Sequence, residues 1–148
     1  MALGERLAHE DPVLGLAGAP RPELVICSAA VRTRQTADLI VGAMGDQPPL
    51  DSFSSLYGAD TDLVLQYLRE IDEGVGSALV VGHNPTMYQL IGELLTDRGD
   101  DGPGSSRAAL EAHGFPTCGL AVLALDVPAW EDVAHGCGRL VGLFRPPY

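Results

Sequence analysis

The sequence predicts an α/β fold in which helices cover both faces of a mostly parallel central sheet. Two short apolar runs, ELVIC at 23–27 and SALVVGH at 77–83, are typical of strands buried on both faces. A helical pattern follows each run, and strands that alternate with helices favour parallel pairing. With 148 residues, 46% of them apolar, the chain has the size and composition of one globular domain.

The first elements are assigned from apolar spacing and boundary residues. Residues 3–9 have the leucine spacing of a helix end, and 15–22 form a loop closed by a proline. The helix after ELVIC is predicted to begin at Ser28 as its N-cap and to end near Gly42–Gly45.

The middle of the chain repeats this order. Residues 45–53 form a loop with a short strand at its end. An amphipathic helix follows at 61–71, with Thr61 or Asp60 as its cap, and the glycines in 74–76 end it.

The last elements include one helix and two strands. The helix after SALVVGH spans 84–95, with Asn84 as N-cap and Pro85 at its first position. A polar, glycine-rich loop follows, and strands are predicted at 118–126 and 138–144.

Composition and charge exclude several classes of partner. The chain has 20 acidic residues against nine arginines and no lysine, for a net charge of −11. Nucleic acid and anionic membranes both reward a basic surface, so neither is an expected partner. Because no apolar run approaches the ~20 residues that span a bilayer and no signal peptide is evident, we expect a cytoplasmic protein.

The cysteines point to no disulfide framework and no metal. Cys27, Cys118 and Cys137 are scattered and odd in number, without a CxxC pair or a histidine-rich spacing. This pattern is typical of a reducing compartment.

Two strand-to-helix junctions carry the residues most suited to chemistry. One supplies Arg32 and Arg34, and the other supplies His83. Ligands of open α/β sheets bind beyond the carboxyl ends of the strands, where helix N-termini attract anions. Guanidinium and imidazole both suit phosphate oxygens, so these junctions predict a phosphate pocket.

Plainer interpretations exist for the same residues. A histidine after a strand often has only a structural role. The glycine and the Asn-Pro pair of GHNP are also common in the turn that follows a strand. A composition with arginine but no lysine can reflect a GC-rich genome. An arginine pair in the first turn of a helix opposes the helix dipole, however, and therefore favours a nearby anion.

Several motifs occur in the order found in one known family. They are S-x-x-x-R-T-R-Q-T-A at 28–37, LYGAD around Tyr57, V-V-G-H-N-P at 80–85, F-P-T at 115–117 and G-R-L-V-x-L-F-R-P from 138. Together they resemble the histidine phosphatase superfamily, which is phosphoglycerate mutase-like, and within it the short bacterial phosphohistidine phosphatases. The resemblance covers about residues 3 to 148.

The resemblance implies roles for individual residues. Arg32 and His83 match two phosphate-binding residues of the family, and His83 is also implied to be catalytic because it stabilises transition-state charge. Ser28, Arg34 and Asn84 are implied to be supporting residues. No metal or other cofactor is implied.

The family also uses a carboxylic acid to protonate the leaving group. Asp51, Asp60 and Asp62 lie in the corresponding segment, and no motif chooses among them.

One family motif is missing from the chain. The family nucleophile is a histidine in an R-H-G motif at the end of a first strand, and no residue here matches it. His9 lies on what resembles the first family helix, and His113 and His135 each precede a glycine late in the chain. We therefore expect a domain, 1–148, that is incomplete at its N-terminus and catalytically inactive.

The position of that missing strand has structural consequences. We expect it to lie centrally, beside ELVIC and SALVVGH, and its absence to leave open strand edges through which the protein dimerises or aggregates.

Two functions follow from these expectations. The first is a phosphatase whose full-length form hydrolyses phosphohistidine or a small phosphomonoester through a phosphohistidine intermediate. The second is a non-catalytic family member that binds a phosphorylated protein or other phosphate ligand through Arg32 and His83. A mutase is less favoured, because mutases of the superfamily carry a longer insertion than the segment at 51–62.

Overall fold

The computed structural model describes residues 21–44, 47–95, 110, 114–115 and 119–144. The elements in chain order are β1 (Leu24–Ser28), α1 (Val31–Ala43), β2 (Leu50–Phe53), a 3₁₀ turn (Ser54–Leu56), α2 (Thr61–Arg69), β3 (Ala78–Val81), α3 (Thr86–Leu94), β4 (Leu120–Leu125), a second 3₁₀ turn (Trp130–Asp132) and β5 (Gly138–Phe144). No helix in these ranges has the length and apolar character needed to cross a bilayer.

The described strands form two sheets. Strands β2, β1 and β3 make a parallel sheet in that order, and β4 pairs antiparallel with β5. Both edges of β1 are occupied, since Val25 lies opposite Leu50 of β2 and Leu79 of β3. The expectation of a vacant edge beside ELVIC is therefore wrong, because the short strand at 50–53 already fills it.

Helices cover both faces of the parallel sheet. Val25 and Cys27 of β1 are fully buried against Ala37 and Val41 of α1. The alternate residue, Ile26, faces the opposite cluster, which includes Leu65 of α2 and members of α3. Alternation along one strand thus produces three layers and confirms the predicted α/β class.

The bounds of helix α2 are explained by its own residues. Asp60 accepts a hydrogen bond from the backbone N–H of Leu63 at 3.0 Å, so it is Asp60 that caps this helix. Val64, Leu65 and Leu68 form its buried stripe. At its end Arg69 Nε donates to the carbonyl of Val133 at 2.7 Å, which joins the helix to the segment before β5.

The two predicted caps at the sheet edge are wrong. Helix α1 begins at Val31 after Ala30, and Ser28 is the last residue of β1. Helix α3 begins at Thr86 after Pro85, without a side-chain cap. Ser28 and Asn84 are engaged elsewhere, with His83 and the Phe115 carbonyl respectively.

An apolar cavity lies between the two sheets. Its volume is about 1440 Å³, and residues of both β3 and β4 line it. Among the described residues, β3 pairs only with β1 and β4 only with β5. One edge of each strand is therefore unpaired by another strand within this part of the chain.

Candidate functional site

Parallel pairing brings three chain segments together at one edge of the sheet. Cys27 lies opposite Val81, and Ser28 lies opposite Phe53, so the three strands end almost level. The residues that follow these strands include Arg32, Tyr57 and His83. This is the edge at which open α/β sheets bind ligands.

A partly buried hydrogen bond joins two of these strand ends. His83 Nε2 lies 2.9 Å from the hydroxyl oxygen of Ser28, which is fully buried. The same oxygen accepts a longer hydrogen bond, 3.3 Å, from the backbone N–H of Ala30. Ser28 therefore fixes the position of the imidazole, and the tautomer of His83 decides which of the two side chains donates.

Thr33 closes the turn between β1 and α1. Its hydroxyl lies 2.8 Å from the carbonyl of Ser28 and 2.9 Å from that of Ala30, so its one proton is shared between the two acceptors. The side chain is buried and forms its contacts at the point where the helix begins. Thr33 thereby sets the direction in which α1 leaves the sheet, and with it the position of Arg32.

Arg32 lies in the first turn of α1, which contains no acidic residue. It lines the same cavity as His83 and Asn84. Within the described part of the chain its guanidinium has no hydrogen-bonding or ion-pair partner. The cation and the positive end of the helix dipole thus reinforce one another at this edge, where an anion would relieve both.

Arg34 occupies a different environment from Arg32. Its Nε pairs with Asp38 at 3.2 Å on the exposed side of α1, and its guanidinium donates to the hydroxyl of Ser52 in β2 at 3.1 Å. Arg34 does not line the cavity. The two arginines therefore have different roles: Arg34 links α1 to β2, and Arg32 faces the cavity.

Asn84 connects the site to a distant segment. Its side-chain nitrogen donates to the carbonyl of Phe115 at 3.1 Å. Asn84 also lines the cavity together with Phe115. It therefore holds the GHNP turn against Phe115.

Tyr57 is a neighbour of His83 that sequence analysis noted only as part of a motif. The two ring centroids are 5.4 Å apart and the rings are nearly perpendicular, at 88°. The side chain is 71% exposed. The sequence signal that could have identified Tyr57 is its position four residues after the end of the short strand at 50–53, at the same sheet edge as the other site residues.

The three candidate carboxylates lie outside the cavity lining. Asp60 is engaged as the cap of α2, Asp62 is exposed in the first turn of that helix, and Asp51 is exposed within β2. The geometry therefore does not single out any of them as a proton donor.

The other histidines do not join His83 in the described structure. His135 is exposed and lies near Glu93, with 3.7 Å between Nε2 and Oε2, and it does not line the cavity. His9 and His113 lie outside the described residues. His83 is thus the one histidine in the cavity lining of this part of the chain.

Burial makes Cys27 a poor nucleophile despite its place next to Ser28. Burial raises the pKa of its thiol above the ordinary value, Arg34 lowers it in part, and Asp38 raises it again. A raised pKa leaves the thiol protonated near neutral pH.

In the described ranges no group of three or more metal-ligating side chains is close enough together to hold a metal ion.

Two mycobacterial proteins are similar to this chain in sequence. The uncharacterized protein Rv1276c of Mycobacterium tuberculosis (strain ATCC 25618 / H37Rv) is 36% identical over 138 residues, covering 89% of this chain and 82% of that protein. The uncharacterized protein ML1117 of Mycobacterium leprae (strain TN) is 31% identical over 127 residues, covering 86% and 73%. A scan against models of protein families finds no match.

Two solved structures are similar in fold, both described as “putative phosphohistidine phosphatase SixA”. The protein from Nakamurella multipartitia has a TM-score of 0.71 and 26% identity, and the match covers 98% of this chain and 82% of that one. The protein from Agrobacterium tumefaciens has a TM-score of 0.65 and 30% identity, covering 85% and 69%.

Proposed function

Because this chain belongs to the histidine phosphatase superfamily, we propose that Arg32 and His83 bind the phosphoryl group of a phosphohistidine or of a small phosphomonoester. The observation that carries the proposal is the unpartnered guanidinium of Arg32 in the same cavity lining as the imidazole that Ser28 holds. In a protein of net charge −11, a cation kept at this edge favours an anionic ligand.

Each residue has a distinct chemical role in the proposal. The planar fork of Arg32 donates two parallel hydrogen bonds to phosphoryl oxygens. His83 donates a third and stabilises the negative charge that spreads over those oxygens in the transition state. Ser28 and Asn84 hold His83 and the turn that carries it, and Arg34 braces α1 against β2.

We propose none of the described residues as the nucleophile of the reaction. A histidine nucleophile must attack phosphorus in line with the leaving group, so it must face the phosphoryl group that Arg32 and His83 bind. We propose that it belongs to a strand between β3 and β4 and that the 148-residue chain alone binds phosphate without hydrolysing it.

Three features support that placement. One edge each of β3 and β4 lacks a strand partner among the described residues, and the lining of the intervening cavity is largely apolar and includes Leu79 and Val122. Arg32 and His83 line that same cavity. A strand there would satisfy both edges and end beside the phosphate-binding groups.

The remaining parts of the proposal concern the setting of the protein. We propose one domain over 1–148, a cytoplasmic location, and a phosphorylated protein or small phosphomonoester as partner, without nucleic acid, membrane, metal or other cofactor. We also propose that the protein dimerises through the edges of β3 and β4 that lack a strand partner among the described residues.

A hydrolysis assay tests the proposal. The 148-residue chain and a version extended by the upstream reading frame are assayed with p-nitrophenyl phosphate and with a phosphohistidine peptide. We expect turnover by the extended version, loss of that turnover in its His83→Gln variant, and none by the 148-residue chain. Robust turnover by the shorter chain would contradict the placement of the nucleophile, and an inactive extended version that still binds phosphate would favour the non-catalytic binding protein.

A further inference from the structure

Tyr57 presents an open aromatic face beside the candidate phosphate site. Its ring is nearly perpendicular to that of His83, so the imidazole covers at most one of its two broad faces. The residue is 71% exposed, so most of the ring is accessible to solvent. An exposed aromatic ring contributes little to the core, and aromatic side chains are the usual anchors of binding surfaces.

The segment that carries Tyr57 is held in place on both sides. Leu56, immediately before it, is buried in the main core cluster. Gly58, immediately after it, has a φ of +71°, which allows the chain to turn sharply there. The hydroxyl of Thr86 then donates to the carbonyl of Ala59 at 2.8 Å, which ties the segment to the start of α3, three residues after His83.

A second exposed apolar residue lies at the same edge of the sheet. Val31 opens α1 three residues after Ser28 and is 71% exposed. Ser28 is paired in register with Phe53, four residues before Tyr57. Two of the five exposed large apolar residues of the described chain thus follow neighbouring strands, and although neither lines the cavity, Val31 directly precedes Arg32 and Tyr57 contacts His83.

We propose that Tyr57 is a specificity-determining residue that selects ligands whose phosphoryl group is attached to a flat aromatic or heteroaromatic ring. The ring of the ligand packs against the open face of Tyr57, with Val31 as an apolar neighbour, while Arg32 and His83 bind the phosphoryl group. This inference rests on the proposed phosphate site and adds the residue that would distinguish a phosphoryl group on a ring, as in phosphohistidine, from one on an aliphatic group.

Physical chemistry sets the size of the expected effect. An offset-stacked or edge-to-face aromatic pair adds affinity beyond the burial of area. A single such pair corresponds to a preference of about three- to tenfold over a ligand without the ring. The hydroxyl of Tyr57 has no part in this contact, so the preference requires the ring alone.

A binding experiment on the 148-residue chain tests the inference without requiring hydrolysis. The dissociation constants of inorganic phosphate, methyl phosphate and phenyl phosphate are measured by calorimetry or NMR titration. The readout is the ratio of methyl to phenyl phosphate dissociation constants within each variant, because a general loss of phosphate affinity cancels in this ratio. We expect a ratio of about three to ten for the wild type, about one for Tyr57→Ala, and the wild-type ratio for Tyr57→Phe.

A matched control separates the position of Tyr57 from aromatic content in general. Tyr88 is a second exposed tyrosine, 38% exposed and located on α3, and Tyr88→Ala should keep the wild-type ratio. A wild-type ratio of one, or a ratio unchanged in Tyr57→Ala, would overturn the role of Tyr57 while leaving the phosphate site intact. Failure of inorganic phosphate itself to bind would overturn the proposed function, and the inference with it.

Discussion

Ser28 and Cys27 are both fully buried, and the face of β1 on which each lies decides whether it contacts the candidate site through His83. His83 and the hydroxyl of Ser28 share one hydrogen bond across two strand ends, and His83 also lines the cavity. Cys27 directly precedes Ser28 in β1 but is packed against α1. Successive residues of a strand point to opposite faces, so neighbours in sequence have opposite environments.

The buried thiol gives a pH-dependent prediction. The pKa of Cys27 is higher in the folded state than in the unfolded chain, so its contribution to stability is complete below the ordinary thiol pKa of about 8.5 and is lost as pH rises through the folded-state value. We expect the stability difference between wild type and Cys27→Ala, measured by urea unfolding, to shrink as pH rises above the ordinary thiol pKa of about 8.5. The same difference at every pH would show that burial does not perturb this thiol.

The element that most directly controls the site is the first turn of α1. No side chain caps this helix, and its start is determined by the shared hydrogen bond of Thr33 to the carbonyls of Ser28 and Ala30. Sequence analysis predicted a helix beginning at Ser28 because serine is a favoured N-cap. In the structure the hydroxyl of Ser28 instead forms a hydrogen bond with His83, which is 55 positions away in the sequence. A pattern of neighbouring residues cannot predict such a long-range contact.

Two threonines of α1 provide a matched comparison. Thr33→Val removes the buried hydroxyl and leaves two carbonyls without that donor, so we expect it to lower the free energy of unfolding by about 1–3 kcal/mol. Thr36 is exposed and its hydroxyl donates to the carbonyl of Arg32 at 3.0 Å, so Thr36→Val should change stability by less than about 0.5 kcal/mol. Equal effects in urea unfolding would contradict the assignment of Thr33 as the residue that fixes the helix start.

At the scale of the whole molecule, the phosphate-binding edge depends on the order of the strands. The apolar runs predicted the strands and their alternation with helices, and β5 has the predicted bounds of 138 and 144. Their lateral order was not predictable in full, because periodicity reports which residues are buried and not which strand lies next to which. The short strand β2 occupies the edge of β1 that was expected to be open, and the edges that border the cavity and lack a strand partner among the described residues are those of β3 and β4.

Part of the geometry of the candidate site could also be predicted from the sequence. The junctions after ELVIC and SALVVGH already indicated Arg32 and His83, since parallel strands end at a common edge. The family resemblance already implied different roles for Arg32 and Arg34, but the partners of Arg34 could not be predicted, because helical spacing alone does not show that Asp38 and Ser52 engage only the second arginine. The contact of Tyr57 with His83 likewise depends on how a turn folds back against α3.

Calorimetric titration with inorganic phosphate tests the central claim most directly. Arg32→Ala is compared with the wild type and with Arg139→Ala, which removes the same charge from an exposed ion pair with Asp126 outside the cavity lining. We predict that Arg32→Ala weakens phosphate binding by about tenfold or more, as expected for the loss of charge-assisted hydrogen bonds, and that Arg139→Ala changes it by less than about twofold. Absence of binding by the wild type, or equal losses in the two variants, would contradict the assignment of Arg32 and His83 as a phosphate site.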